Sequence, residues 1–308
     1  MKPFDHLINL LKSVPGAYMC AEMTSADTGD AASPALCEYQ FRPGAGAHNV
    51  YSISKSVTGC AIGILESEKR IRDTDTVYSY LGKYFPENYD RRWEQTTVGD
   101  LMIHRSGAGP ESNIDVDVTD FRAEGIDDFL AHVLSCPVIH EHGKGPFVYC
   151  DTNYYLVGRV VEEITGMTCG DFLQERLFNP LGWIGNAWGT CPGNHTLCGT
   201  GLFVRARDLA AYGYMLASGG TFGGRRLLDP SWIEKARGAR GCYGYGFTNS
   251  PDGRWFSAGG MYGQCVYIIP AQKTAFCVLG HEIPVERISA EIIPLYLEMI
   301  PKGGSYRE

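Results

Sequence analysis

The sequence predicts an α/β fold, of the α+β kind, in which an antiparallel sheet drawn from both chain ends is flanked by helices and interrupted by a helical insertion. Three observations predict it. Strand-like apolar runs fall before residue 42 and after residue 242, helical periodicity dominates between them, and 308 residues with 44% hydrophobic content can bury a substantial core. The expected organisation is a single domain over residues 1–308, with a sheet region at 1–70 plus 238–308 and a helical region at 71–237.

Each element follows from its local pattern. Phe4, Leu7, Ile8, Leu10 and Leu11 recur at helical spacing, so Met1 to Ser13 reads as an amphipathic opening helix; Asp5 and His6 interrupt it, which is unlike a secretory signal. Gly16 to Met23 and Ala35 to Phe41 read as strands joined by the polar turn Thr24 to Asp30, a hairpin. From Ser52 the pattern turns helical, with Val57, Ala61, Ile62 and Leu65 on one face as far as Glu66 to Arg70. Further helical patterns cover Val98 to Ile103, Ile126 to Leu134, Tyr154 to Ile164, Cys169 to Leu177, Ala206 to Ala217 and Ser231 to Ala236. Strand signals return at Tyr243 to Phe247, Arg254 to Ser257, Gln264 to Ile269 and Thr274 to Gly280, the last pair joined by a turn at Pro270 to Lys273. Val285 to Met299 closes the chain as a helix that Pro294 should kink. A helix starting at Ser52 lies at the junction of sheet and helical regions, where ligand clefts form.

The formal net charge of −8 provides neither the basic stripe that nucleic acid needs nor a polybasic segment for anionic lipid, so the expected partner is a small molecule, with no nucleic acid and no membrane. No run approaches the length of a membrane span. The 11 cysteines include no Cys-x-x-Cys pair and lie mostly in apolar segments, which predicts reduced, buried thiols and a cytoplasmic location. Cys191, His195 and Cys198 share one loop but lack a fourth ligand at the usual spacing, and His140-Glu141-His142 precedes a Gly/Pro-rich loop. No metal is expected at either.

The chemistry concentrates at Ser52-Ile53-Ser54-Lys55. On a helix this spacing stacks the two reactive side chains, so Lys55 reaches the Ser52 hydroxyl, and a neutral amine there can accept its proton. Gly-x-Ser-x-Gly, Gly-x-Gly-x-x-Gly, the P-loop and His-Glu-x-x-His are all absent. Instead there follow, in order, Leu101-Met102-Ile103-His104-Arg105-Ser106-Gly107, Tyr149-Cys150-Asp151-Thr152-Asn153-Tyr154, Gly199-Thr200-Gly201-Leu202 and Ala258-Gly259-Gly260.

This ordered set resembles the serine β-lactamase and penicillin-binding-protein superfamily, on its class C, DD-peptidase and esterase branch, from about Gly16 to Gly280. The resemblance implies a β-lactamase/transpeptidase-like fold and an acyl-enzyme on Ser52. It further implies Lys55 as general base, Tyr149 as the phenol that shuttles the proton, and no cofactor. Lys55 can stabilise negative charge on the Tyr149 oxygen, so the two share the work. Two positions depart from the pattern. Asp151 stands where Asn is usual; it cannot donate an amide N–H to a substrate, and as a carboxylate beside Lys55 it favours the ammonium form, which suits orienting Lys55. Ala258 stands where the family has Lys or His, so the cation that recognises a substrate carboxylate is missing; Arg105 or Arg254 would have to replace it. Gly259 and Gly260 still let a substrate approach the strand, and the resemblance implies an oxyanion hole from the N–H groups of Ser52 and Met261. His104 and the Gly199 loop, with Asp208 near the start of the next helix, read as scaffold. Trp183, Trp188, Tyr243 and Tyr245 are candidates for an acyl pocket or for the core. The expected function is hydrolysis of an ester or amide. The alternatives are a true β-lactamase or DD-carboxypeptidase, and a non-catalytic sensor that keeps the fold.

Overall fold

The computed structural model describes residues 1–299 apart from 27–28, 45, 118–119, 122–123, 141–144 and 239–240. The chain opens with α1 (Pro3–Leu11), β1 (Ala17–Thr24), β2 (Ala35–Gln40) and β3 (His48–Asn49), then enters α2 (Ile53–Ser67). The middle carries α3 (Val77–Leu81), α4 (Val98–Met102), α5 (Phe129–Ser135), α6 (Asp151–Thr165), α7 (Cys169–Leu173), β4 (Ala187–Trp188), β5 (Leu202–Val204), α8 (Ala206–Ala217), β6 (Thr221–Phe222), β7 (Arg225–Arg226) and α9 (Pro230–Gly238). It ends with β8 (Thr248–Asn249), β9 (Phe256–Gly260), β10 (Gln264–Ile269), β11 (Thr274–Gly280), α10 (Val285–Arg287) and α11 (Ile293–Glu298).

The six-stranded sheet has the order β2-β1-β11-β10-β9-β8, all antiparallel, so β1 from the start of the chain pairs with β11 from its end. β10 and β11 are buried along their whole length, because helices cover both faces. Their alternate residues divide between two cores. Val266, Ile268, Ala275, Cys277 and Leu279 join α2, α8 and the helical region; Cys265, Tyr267, Ile269, Phe276 and Val278 join α1 and α11. α2 is buried from Ile53 through Leu65, as befits a helix enclosed on all sides.

Local signals explain the helix ends. Thr97 and Asp100 form a reciprocal capping box at α4, Thr168 caps α7, and Gly166 ends α6 in the left-handed conformation. Several expected boundaries move. α6 starts at Asp151, ahead of Tyr154, and α5 starts at Phe129 behind its Asp128 cap. The pattern Cys169 to Leu177 splits into α7 and a π-helical turn, Gln174–Phe178. Tyr243 to Phe247 is no strand: Gly246 takes φ 80° and Gly244 N–H bonds back to Phe247, leaving Tyr243 only a bridge to Thr248. The final helix divides into α10, a π-helical turn at Ile288–Ile292 and α11, with Pro294 in the first turn of α11. The small sheet β3-β5-β4, whose strands β4 and β5 fall inside the predicted helical stretch, was not expected. Among the described residues no helix is long and apolar enough to cross a membrane.

Candidate active site

Ser52 is delivered by a tightly held turn. Val50 N–H bonds to the Leu202 carbonyl at 2.8 Å, Tyr51 N–H bonds to Asn49 Oδ1 at 2.9 Å, and Tyr51 takes φ 47°, a left-handed conformation uncommon for a bulky residue. The chain then enters α2 with Ser52 at its N-cap. One turn on, Lys55 is 1% exposed, and its Nζ donates to Ser52 Oγ at 3.0 Å, to the Gly199 carbonyl at 2.8 Å and to Asp151 Oδ1 in a buried ion pair. These bonds use all three ammonium protons. Burial pulls Lys55 down, but the Asp151 carboxylate, followed by Tyr149, outweighs it and holds the amine above its ordinary value. Burial raises the Asp151 carboxyl, with Lys55 opposing. The raised Lys55 favours the ammonium over the neutral amine expected at this position, and Asp151 is its carboxylate partner.

Tyr149, 48% exposed, donates its hydroxyl to Ser52 Oγ at 2.7 Å and has Lys55 Nζ 4.7 Å from its ring centroid. His104 braces it from behind. The two rings lie 4.4 Å apart, and the Val148 N–H bonds to the His104 carbonyl at 2.9 Å. His104 Nδ1 receives the Cys150 N–H at 3.3 Å and the Asn153 amide at 3.1 Å, which leaves the ring proton on Nε2, 3.1 Å from the Tyr243 hydroxyl. Burial, helped by the charge of Lys55, lowers His104 to about 3, so the ring is neutral near pH 7. Its ring nitrogens are taken up by Cys150, Asn153 and Tyr243, so it acts as a brace.

β9 forms the third wall. Gly259, Gly260 and Met261 line an open cleft of about 930 Å³ that also contains Ser52 and Tyr149. Gly260 lies so close to Val50 that a Cβ would strike the Val50 carbonyl oxygen, so the strand end sits directly against the chain entering Ser52. Ala258 does not line this cleft. Its side chain is wholly buried in the core on the other side of β9, which corrects its expected place among the substrate contacts. Neither Arg105 nor Arg254 lines the cleft, and Arg254 bonds to Asp252.

The aromatic candidates lie elsewhere: Trp183 stacks on Phe178, Trp188 bonds to the Thr200 carbonyl, Tyr243 meets His104, and Tyr245 bonds to Asp73. Trp255 and Tyr267 line the cleft instead. The Gly199 loop is more than scaffold, since its carbonyl binds Lys55, and Asn113 Oδ1 receives the Asp151 N–H at 3.1 Å. The Gly-Thr-Gly-Leu motif signalled the first of these; nothing in the sequence singles out Asn113. Cys191 pairs with the Tyr155 hydroxyl and His195 with Glu162, while Cys198 is buried against Gly158. Glu141 and His142 lie outside the described residues. Asp115, Asp117 and Asp151 place one carboxylate oxygen each within 4.8 Å of one another, and the positive charge at Asp151 is supplied by Lys55.

A family model described as Beta-lactamase matches residues 45–284. The chain is 26% identical over 287 residues to the 6-aminohexanoate-dimer hydrolase of Paenarthrobacter ureafaciens, covering 80% of this chain and 70% of that protein. Of the next curated relatives it matches, it spans only about a quarter of the length. Among solved structures it is similar to a putative 6-aminohexanoate-dimer hydrolase from Bacillus anthracis, with TM-score 0.74, 19% identity and coverage of 96% of this chain and 81% of that one. A family VIII carboxylesterase matches with TM-score 0.72, 16% identity and 96% coverage of both chains. These structural likenesses show the fold, the β-lactamase/transpeptidase arrangement of helices around an antiparallel sheet.

Proposed function

The chain belongs to the beta-lactamase family, and from that membership we propose that it is a serine hydrolase cleaving an ester or amide bond through an acyl-enzyme on Ser52. One observation carries the proposal: Ser52 Oγ lies 2.7 Å from the Tyr149 hydroxyl and 3.0 Å from Lys55 Nζ at the wall of an open cleft. In the reactive ionisation state Tyr149 is a phenolate whose charge is offset by the Lys55 ammonium. The phenolate takes the Ser52 proton as Oγ attacks the substrate carbonyl, and the N–H groups of Ser52 and Met261 receive the oxyanion. Tyr149 then returns the proton to the leaving oxygen or nitrogen. Water repeats the sequence in reverse, giving a proton to Tyr149, releasing the acid and restoring Ser52. Lys55 keeps its proton throughout.

The cleft favours an esterase or amidase over a β-lactamase or DD-carboxypeptidase, because no Lys or Arg among the described lining residues can receive a substrate carboxylate. The free thiols support a reducing, cytoplasmic location. A fluorophosphonate probe is expected to label Ser52, and a panel of p-nitrophenyl esters, D-amino-acid amides and nitrocefin should show turnover of one of the first two classes. Ser52→Ala should lose at least about 10⁴-fold in kcat. An unlabelled Ser52 with no turnover by the native protein would leave the sensor reading in place, and nitrocefin hydrolysis at an ordinary enzymatic rate would restore the β-lactamase one.

A further inference from the structure

Each of the two N–H groups proposed to receive the oxyanion stands beside a tyrosine whose backbone is left-handed. Tyr51, just before Ser52, has φ 47°, and Tyr262, just after Met261, has φ 63°. That conformation is strained for a bulky residue and persists only where its surroundings over-determine it. Here each tyrosine supplies part of the other's surroundings. The two rings meet edge to face with centroids 5.5 Å apart, and Tyr262 also stacks on His281, 4.5 Å away with the planes 24° apart. His281 is itself fixed: its N–H donates to the Gly16 carbonyl at 2.8 Å, and the ring of His48, on β3, packs against it at 5.7 Å. The Tyr262 carbonyl receives the Ile283 N–H at 3.1 Å, and Gly263 continues the turn at φ 84°.

The contact of Gly260 with Val50 fixes how near these two segments come, but not how their peptide planes are turned. An N–H aims only where its plane faces. Among the turn and loop hydrogen bonds of the described residues, no carbonyl receives the N–H of Ser52 or of Met261, so neither group is oriented by a backbone partner of its own. The orientation has to come from the residues alongside. The tyrosine pair joins the flank of one donor to the flank of the other, and aromatic pairs of this geometry attract beyond the area they bury.

We propose that the contact between Tyr51 and Tyr262, seated on His281, is a positioning device that aims the Ser52 and Met261 N–H groups at one point. Neither ring has to touch the substrate; each acts through the peptide beside it. The proposal rests on the serine-hydrolase reading and adds to it two residues outside Ser52, Lys55 and Tyr149. Tyr262 is 47% exposed, so removing its ring should disturb the site far more than the fold.

The test compares the native protein with Tyr51→Ala, Tyr262→Ala, Tyr262→Phe and the double alanine variant, using the p-nitrophenyl ester or amide that the native protein turns over best. It also uses two ketones of matched shape. A trifluoromethyl ketone adds to Ser52 and places an oxyanion between the two N–H groups, whereas the methyl ketone binds without adding. Each single alanine variant is expected to lower kcat about ten- to hundredfold with KM within about threefold, and to weaken the trifluoromethyl ketone by the same factor while the methyl ketone changes by less than about threefold. Because the rings act as a pair, the double variant should be no worse than the poorer single one. Tyr262→Phe keeps the ring and should recover most of kcat. A partly unfolded variant would lose both ketones alike, and if Tyr51→Ala fails to fold, Tyr262→Ala and Tyr262→Phe decide the matter. A kcat within about twofold of native in Tyr262→Ala, equal losses for the two ketones, or alanine effects that multiply in the double variant overturns the proposal. A native protein that turns over no ester or amide and whose Ser52 takes no fluorophosphonate overturns the hydrolase reading, and this proposal with it; that failure is seen in the native protein, before any variant is compared.

Discussion

In the proposed mechanism the ion pair between Lys55 and Asp151 decides which residue moves the proton. Lys55 is held above its ordinary value, so its contribution to stability is fully present below the unfolded lysine value, near about 10.4, and is lost only as pH rises through the folded one. In Asp151→Asn the carboxylate that opposes burial is gone, and burial, the largest influence on Lys55, pulls the amine down from its native value, with Tyr149 left as the opposing group. Two outcomes are expected. The variant should lose about 3–5 kcal/mol of stability at pH 7, where a buried ammonium has lost its partner, and less at alkaline pH, where the amine is neutral. Its hydrolytic activity should fall on the alkaline side at a lower pH than that of the native enzyme. A variant more active than the native enzyme across the alkaline range would make the neutral amine the base and refute the division of labour proposed above. The meeting of the three side chains was legible because their spacing and order carry it: Ser52 and Lys55 are a helical turn apart, and Tyr149 opens its own motif. The sequence could not indicate how far Asp151 would enclose Lys55, because that depends on Gly199 and Asn113 arriving from loops whose conformations no periodic pattern encodes.

At the level of the elements, the site is an alignment of the α2 N-terminus, the start of α6 and the end of β9, and close backbone contact sets that alignment. Gly260 lies against the Val50 carbonyl two residues before Ser52, with Tyr51 Cβ as its next neighbour, so a methyl group there must part β9 from the entry to α2. Gly260→Ala is expected to lower stability by about 1–3 kcal/mol and kcat/KM by roughly 10²-fold, the usual scale for overpacking and for displacing reacting groups by an ångström. Gly46→Ala, where a Cβ meets nothing within 4 Å, should behave as native. Unchanged kcat/KM in Gly260→Ala would show that the spacing between these backbones does not govern the chemistry. The elements most legible in the sequence were those with sustained apolar patterns, such as α8, β10 and β11, whose limits agree with the expected ones. The illegible ones are short: β3, β4 and β5 have two or three residues each, too few for any period, and exist because Val50, Leu202 and their neighbours pair across distant sequence. The missing strand at Tyr243 to Phe247 fails for the opposite reason. Its aromatic alternation is suitable, but Gly246 turns the backbone against Lys55 and Ser56.

Across the molecule, joining the chain ends through β1 and β11 should make the two cores one cooperative unit. β1 lies between β2 and β11, with Cys20 opposite Val278 and Ala21 opposite Cys277, so neither core can open by itself without breaking the central pairing. The cysteines report on this. Eight of the 11 are buried, Cys136 is intermediate, and only Cys37 and Cys242 are exposed. Burial also pushes Cys60 and Cys265 up to about 12, which suppresses the reactive thiolate. Ellman's reagent on the native protein at pH 8 should therefore react quickly with Cys37 and Cys242, more slowly with Cys136, and with the other eight only as the fold opens. Cys20 and Cys265 belong to the core against α1 and α11, while Cys60, Cys198 and Cys277 belong to the core around α2 and α8. If the pairing of β1 with β11 couples the two layers, both sets should be trapped with the same opening free energy and lose protection at the same urea concentration. If one set becomes reactive well before the other, the layers unfold independently, and the sheet that carries β9 to Ser52 would owe its stability to only one of them.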